Sequence, residues 1–212
     1  MGFSVSEVDK LSGPILGRPK SATFRTCDVV GLDTLVHVAN GLKQNCPDDE
    51  EKELFELPGY IAKMVENNWL GSKSGQGFYK KEKDENGKKT ILALDLETLE
   101  YKKPDKVKFP TLEMAKPIED LKQRTKMLVM GMDKAGEFYR RIFGGLLAYV
   151  SNRIPEISDE FYKIDDALKA GFGWELGPFE SWDLFGFDQG AKFIKDAKKN
   201  LGSAINEMRE AG

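Results

Sequence analysis

The chain has 212 residues, 40% of them hydrophobic and 32% charged, with a net charge of −3. That balance suits a globular protein of one large or two small domains; it offers no basic face for nucleic acid and no apolar run of membrane-spanning length. Two cysteines, Cys27 and Cys46, and the single histidine, His37, make no metal-ligand cluster and fit a reducing compartment, so the cytoplasm is the expected location. The opening Met1-Gly2-Phe3-Ser4 lacks the basic and apolar segments of a secretory signal.

In chain order, Val5, Val8 and Leu11 recur at helical spacing and predict a helix over 5–12. Gly13-Pro14 and Gly17-Arg18-Pro19 punctuate a loop. A short helix is predicted over 21–30, stopped by Gly31, and Asp33 is expected to cap a second helix over 34–43. The acidic stretch 48–51 precedes a further helix start, where negative charge is favoured. Ile61, Met64, Val65 and Trp69 share one face of a helix over 58–68, ended by Gly71.

From Gly75-Gln76-Gly77-Phe78-Tyr79 the period changes. Asn86-Gly87 is a hairpin-turn signal, and two or three short strands are predicted between 77 and 103. Residues 104–117, rich in proline and lysine, are expected to link two domains, 1–103 and 118–212. Beyond them Leu128, Met132, Ala135, Tyr139, Ile142, Leu146 and Tyr149 step by three or four and predict one long apolar stripe. Pro155 is expected to start or kink the next helix. A last helix should reach the C-terminus. The fold class is therefore mainly α, with a small β-hairpin closing the first domain.

One stretch occurs twice. Phe24, Asp28, Gly31 and Asp33 recur as Phe179, Asp183, Gly186 and Asp188 at one constant offset, and Val8-Asp9-Lys10-Leu11 echoes Ile164-Asp165-Asp166-Ala167 with a one-residue gap. Self-similarity at domain length predicts two copies of one fold. Neither short copy can hide its apolar faces alone, so the copies are expected to pack together within one chain, giving a monomer.

Few residues point to chemistry. Asp28 and Asp183 each sit before a glycine at the end of a short helix, where a carboxylate is expected to satisfy backbone amides. His37 lies mid-helix without the proton partner and orienting group that acid–base work requires. Gly13 to Gly17 has the wrong spacing for a phosphate loop, and Gly75-Gln76-Gly77 has neither a preceding strand nor a following helix. No alternation of strands and helices remains from which to build a dinucleotide fold, so the chain is expected to bind no NAD by itself. Arg18, Lys20 and Arg25 cluster around a Gly/Pro loop, either as a solvated basic turn or as a loop that meets an anionic ligand.

The stretch Gly17-Arg18-Pro19-Lys20-Ser21-Ala22-Thr23-Phe24, running on to Asp28-Val29-Val30-Gly31-Leu32-Asp33, resembles the signature of the C-terminal domain of 3-hydroxyacyl-CoA dehydrogenases. Gly177-Pro178-Phe179-Glu180 resembles the same signature more fully, and Lys73-Ser74-Gly75-Gln76-Gly77-Phe78-Tyr79 resembles the ending of that domain. The likeness covers most of 5–80 and 140–200. It implies two tandem helical domains of the kind found at the C-terminus of 6-phosphogluconate dehydrogenase. It further implies the helical, substrate-binding and dimerisation part of an NAD-dependent (3S)-3-hydroxyacyl-CoA dehydrogenase of fatty-acid β-oxidation, in a polypeptide that also carries an enoyl-CoA hydratase.

The same resemblance implies that the catalytic His–Glu pair and the NAD site lie in a nucleotide-binding domain outside these residues. This chain would then supply no catalytic residue, cofactor site or metal site and would be inactive alone. Arg18, Pro19 and Lys20 are the residues expected to shape the acyl-CoA site. Asn152-Arg153 sits too near Ile164-Asp165 to take the role of the family's Asn-Arg pair. Ala22-Thr23 replaces Gly-Pro in the first copy, and no second Gly-x-Gly-Phe-Tyr closes the second copy. Both ends are thus expected to be cut from a longer protein. The rival expectation is a non-catalytic helical interaction or dimerisation module.

Overall fold

The structure is a computed structural model that describes residues 1–83 and 87–211. The described residues form two compact units. One comprises Gly2–Ser12 with Ser21–Val107; the other comprises Met1, Gly13–Lys20 and the described residues from Lys108 onward. The division thus falls between Val107 and Lys108, and the loop before the first repeated stretch belongs with the C-terminal residues.

In the first unit, α1 (Val5–Ser12), α2 (Phe24–Val30), α3 (Leu32–Asn45) and α4 (Gly59–Glu66) precede a small sheet. Strand β1 (Tyr79–Lys83) pairs antiparallel with β2 (Lys89–Leu94), Tyr79 opposite Ala93 and Lys81 opposite Ile91; β2 pairs with β3 (Tyr101–Lys102). Asn86 of the predicted turn lies outside the described residues. The core gathers Val5, Leu32, Ile61, Met64, Phe78 and Leu94, with Phe24, Tyr60 and Trp69 against them. Asp33 does not cap α3. The residue at the cap is Gly31, and Asp33 in the first turn pairs instead with Lys73 at 2.5 Å, which holds its carboxyl below the usual range.

Among the described residues after Lys108, the regular elements of the second unit are all helices. Residues 110–115, inside the expected linker, form α5 (Pro110–Ala115), begun by a proline whose missing amide is unneeded in a first turn. The predicted long stripe is two helices, α6 (Leu121–Met130) and α7 (Lys134–Asn152), broken at 131–133. Met132, placed in that stripe from its spacing, is 93% exposed in the break. Asp133 explains the break: its carboxylate accepts from Gly136 N (3.0 Å) to cap α7 and from Thr111 N and Oγ1 (3.0 and 2.6 Å) to hold α5. Pro155 lies between helices. Then follow α8 (Phe161–Phe172), α9 (Pro178–Phe185), α10 (Phe187–Asp196) and α11 (Ser203–Ala211). Leu147, Ala148, Trp182, Ile194 and Ile205 form one core and Val150, Ile154 and Ile164 another. The mainly α class with a small antiparallel sheet is borne out.

Candidate functional site

The repeated residues build the same local device twice. In the first unit, Asp9 on α1 accepts from three amides at the start of α2: Thr23 N (3.0 Å), Phe24 N (2.6 Å) and Arg25 N (3.0 Å). In the second, Asp165 on α8 accepts from Phe179 N (2.8 Å) and Glu180 N (2.9 Å) at the start of α9. A carboxylate borrowed from the preceding helix thus satisfies amides that a helix start leaves free. Pro178 has no amide to offer; Thr23 stands in its place and donates the third bond. The Gly-Pro-Phe-Glu signature follows from this geometry. A side chain at Gly177 would meet Asp165 at 2.3 Å, and Glu180 turns back to accept from Gly177 N at 2.8 Å. Burial raises the carboxyl pKa of both Asp9 and Asp165 against these hydrogen bonds.

Asp28 does what was expected of it, at longer range. It is 1% exposed and accepts from Phe78 N (2.7 Å) and Tyr79 N (2.9 Å), so it holds the end of α2 to the start of β1. Gly77 is required here, because a Cβ would lie 2.1 Å from Asp28 Oδ1. Tyr79 closes the network by donating to Asp9 Oδ2 at 2.8 Å, and Tyr101 donates to Gly77 O at 2.6 Å. Burial raises the Asp28 carboxyl and, more strongly, the Tyr79 and Tyr101 phenols. Every oxygen of Asp9 and Asp28 thus accepts from an amide or a phenol, and neither is placed to abstract a proton from a ligand. Asp183, the repeat partner of Asp28, is exposed, so its expected amide-binding role does not hold. No Gly-x-Gly-Phe-Tyr stretch follows it within these 212 residues.

The loop carrying Arg18, Pro19 and Lys20 starts from a 3-10 turn, Pro14–Leu16, and the left-handed Gly17 (φ 65°). Gly173, at the same point of the second copy, has φ 64°. The two loops meet inside the second unit. Glu175 N donates to Gly17 O at 2.8 Å, and the Arg18 guanidinium lies 3.9 Å from the centre of the Trp174 ring. Arg18 is half-buried, next to fully buried Tyr139; burial lowers its pKa to about 10, so it stays a cation at neutral pH. Pro19 and Lys20 are exposed. The cation–π partner Trp174 was not anticipated; the signal for it was an aromatic directly after the second left-handed glycine.

The other residues weighed from sequence lie apart. Asn152 ends α7, and Arg153 after it stacks on Tyr149 (4.5 Å) and meets Glu156 at 3.3 Å. Arg153 borders a groove of about 850 Å³ walled by Leu146, Tyr149, Ile157, Ile164 and Leu168. His37 is exposed on α3. Among the described residues no three His, Cys, Asp or Glu side chains converge as a metal site, and no helix is long and apolar enough to cross a membrane. Nor do these residues fit a dinucleotide. The three strands are antiparallel neighbours, and Gly75-Gln76-Gly77 leads into β1 rather than a helix whose amides could face a pyrophosphate.

Fold and site define a class: a helical domain present twice, each copy fixing the start of one helix with a carboxylate from the helix before it. The chain belongs to the family of 3-hydroxyacyl-CoA dehydrogenase C-terminal domains, whose model matches residues 1–81 and again 118–211. It is 46% identical over 211 residues to the "Probable 3-hydroxyacyl-CoA dehydrogenase" of Bacillus subtilis (strain 168), covering 100% of this chain and 26% of that protein. A protein of the same name from Deinococcus radiodurans is 52% identical over 84 residues, 40% of this chain and 23% of that one. A "Fatty acid oxidation complex subunit alpha" of Psychrobacter sp. (strain PRwf-1) is 49% identical over 61 residues, 29% of this chain and 8% of that one. The chain thus spans about a quarter of the length of the Bacillus subtilis and Deinococcus radiodurans relatives. No solved structure matches significantly.

Proposed function

We propose that this chain is the helical, substrate-side part of an NAD-dependent (3S)-3-hydroxyacyl-CoA dehydrogenase working in cytoplasmic fatty-acid β-oxidation. The observation that carries this reading is the double match to one dehydrogenase domain, with full-length similarity to a much longer relative of that name. In this reading the parent polypeptide oxidises the 3-hydroxyl of an acyl-CoA and also carries an enoyl-CoA hydratase. The hydride chemistry and the NAD site lie outside residues 1–212. Arg18, Pro19 and Lys20 shape the acyl-CoA side of the cleft: Arg18 stiffens the loop by stacking on Trp174, while Lys20 offers an exposed ammonium to anionic groups.

The test uses the full-length enzyme with acetoacetyl-CoA and NADH. Lys20→Ala is expected to raise KM about tenfold with kcat little changed, the scale of one charge-assisted hydrogen bond, ~1.5 kcal/mol. Arg18→Ala should raise KM and also lower the melting temperature, since it removes the stack on Trp174. Unchanged kinetics in both variants would remove these residues from the site. The 212-residue chain alone should show no turnover; measurable reduction by the pure chain would place the chemistry within it.

A further inference from the structure

Four of the chain's seven methionines line one cavity of the second unit. Met114 stands on α5, Met127 and Met130 on α6, and Met132 in the break before α7; with Thr111, Gly131 and Asp133 they border about 480 Å³. A methionine that fills a gap in a core is buried. Three of these are open instead: Met114, Met130 and Met132 are 62%, 60% and 93% exposed, while Met127 is half-buried. Met64, in the core of the first unit, is 0% exposed.

The backbone that carries the open sulfurs is fixed. The Arg140 guanidinium donates to Val129 O (2.8 Å) and Gly131 O (2.5 Å), which ties down the chain on both sides of Met130. Gly131 lies so close to α5 that a Cβ would meet Thr111 Oγ1 at 2.2 Å. Asp133, next to Met132, holds Thr111 and caps α7. No small backbone shift can therefore draw these thioethers inward, and their lone pairs stay open to an oxidant in the solvent. Met127 is placed differently. It reaches the cavity from α6 while Thr111 and Met114 reach it from α5, so its side chain lines the space between the two helices.

We propose that this cluster is a graded sulfoxidation site for hydroperoxides. Met114, Met130 and Met132 are its fast positions, and Met127 is the slow position that acts on the α5–α6 contact. In each step the sulfur lone pair takes the outer oxygen of the hydroperoxide. The O–O bond breaks and the S–O bond forms, with the sulfur oxidised by two electrons. The proton of the transferred oxygen passes to the leaving oxygen, which departs as an alcohol, or as water from hydrogen peroxide. The product is polar where the thioether was apolar. At the open positions the new oxygen meets water, and the fold is not strained. At Met127 it lies between two helices, and the contact between α5 and α6 weakens. The inference does not depend on the dehydrogenase reading.

Hydrogen peroxide treatment of the full-length polypeptide, followed by peptide mass, tests it. Met114, Met130 and Met132 are expected to convert at least about tenfold faster than Met64, with Met127 in between. The melting temperature should hold through the fast stage and fall by about 3 °C as Met127 converts. Met127→Leu should keep the fast stage and lose that fall. Conversion of the three open methionines no faster than that of Met64 would overturn the proposal, since another surface of the full-length protein would then cover them. An equal fall in wild type and Met127→Leu would overturn it as well, because the loss of stability would then arise elsewhere.

Discussion

Asp28→Asn is expected to lower stability by about 1–3 kcal/mol, and Asp28→Ala by more, because one buried and one partly buried amide depend on this one carboxylate. Phe78 N and Tyr79 N each use a different oxygen of Asp28, at 2.7 and 2.9 Å. Asparagine keeps one acceptor and turns an NH2 toward the other amide, and alanine leaves both donors unmet. The variant also has a pH signature. Burial raises the Asp28 carboxyl above its ordinary value, so the folded state holds the proton more tightly than the unfolded chain does. The wild type therefore gains stability from this group as pH falls through the folded pKa, with the full gain below the unfolded value, and asparagine has no such proton. The deficit of Asp28→Asn should be larger near pH 4 than at pH 7 in urea melts. A deficit that shrinks in acid would mean that the amides, not burial, control the ionisation.

Adjacent glycines in α7 should respond to alanine with opposite signs. At Gly144 a Cβ would sit 2.3 Å from the Phe193 carbonyl oxygen, a backbone atom of α10 that no rotamer change can move aside. Gly144→Ala is expected to destabilise by about 1–3 kcal/mol through overpacking. At Gly145 a Cβ would meet nothing within 4 Å, and the residue lies inside a nineteen-residue helix. Gly145→Ala should therefore stabilise by roughly 0.5–1 kcal/mol, the helix-propensity difference. Thermal and chemical melts of the two single variants decide the matter. Equal signs would mean that α7 and α10 do not approach closely at Gly144.

These expectations depend on how far each residue's partner lies along the chain. The periods of α1 and α4, the stops at Gly31 and Gly71, and the change to strand after Gly77 depend on neighbours within a few residues, so they were legible in the amino acids. The repeat was legible too, because matching identities need no coordinates. Asp28 and Asp183, by contrast, share a local context, and yet one is buried and the other exposed. What buries Asp28 is a pair of amides fifty residues downstream, Phe78 N and Tyr79 N at the start of β1, which no local context announces.

Of the acyl-CoA candidates, only their clustering on a Gly/Pro loop could be read from the residues. That Arg18 stacks on Trp174 while Lys20 stays in water depends on a meeting of two loops far apart in sequence. The break between α6 and α7 has the same origin. Met132 fits the helical stripe by spacing, but the Asp133 carboxylate caps α7 and at the same time holds Thr111 on α5, a bond between helices that periodicity does not encode. Sequence alone determined that the chain is mainly helical, that one module occurs twice and to which family that module belongs, because short-range periodicity and residue identity carry that information. Tertiary structure decided which polar groups are buried, which apolar faces remain uncovered and where the chain passes from one unit to the other. Those outcomes depend on contacts between residues far apart in the chain, and the fate of each group is set by the free energy of its desolvation against the partners that the fold brings to it.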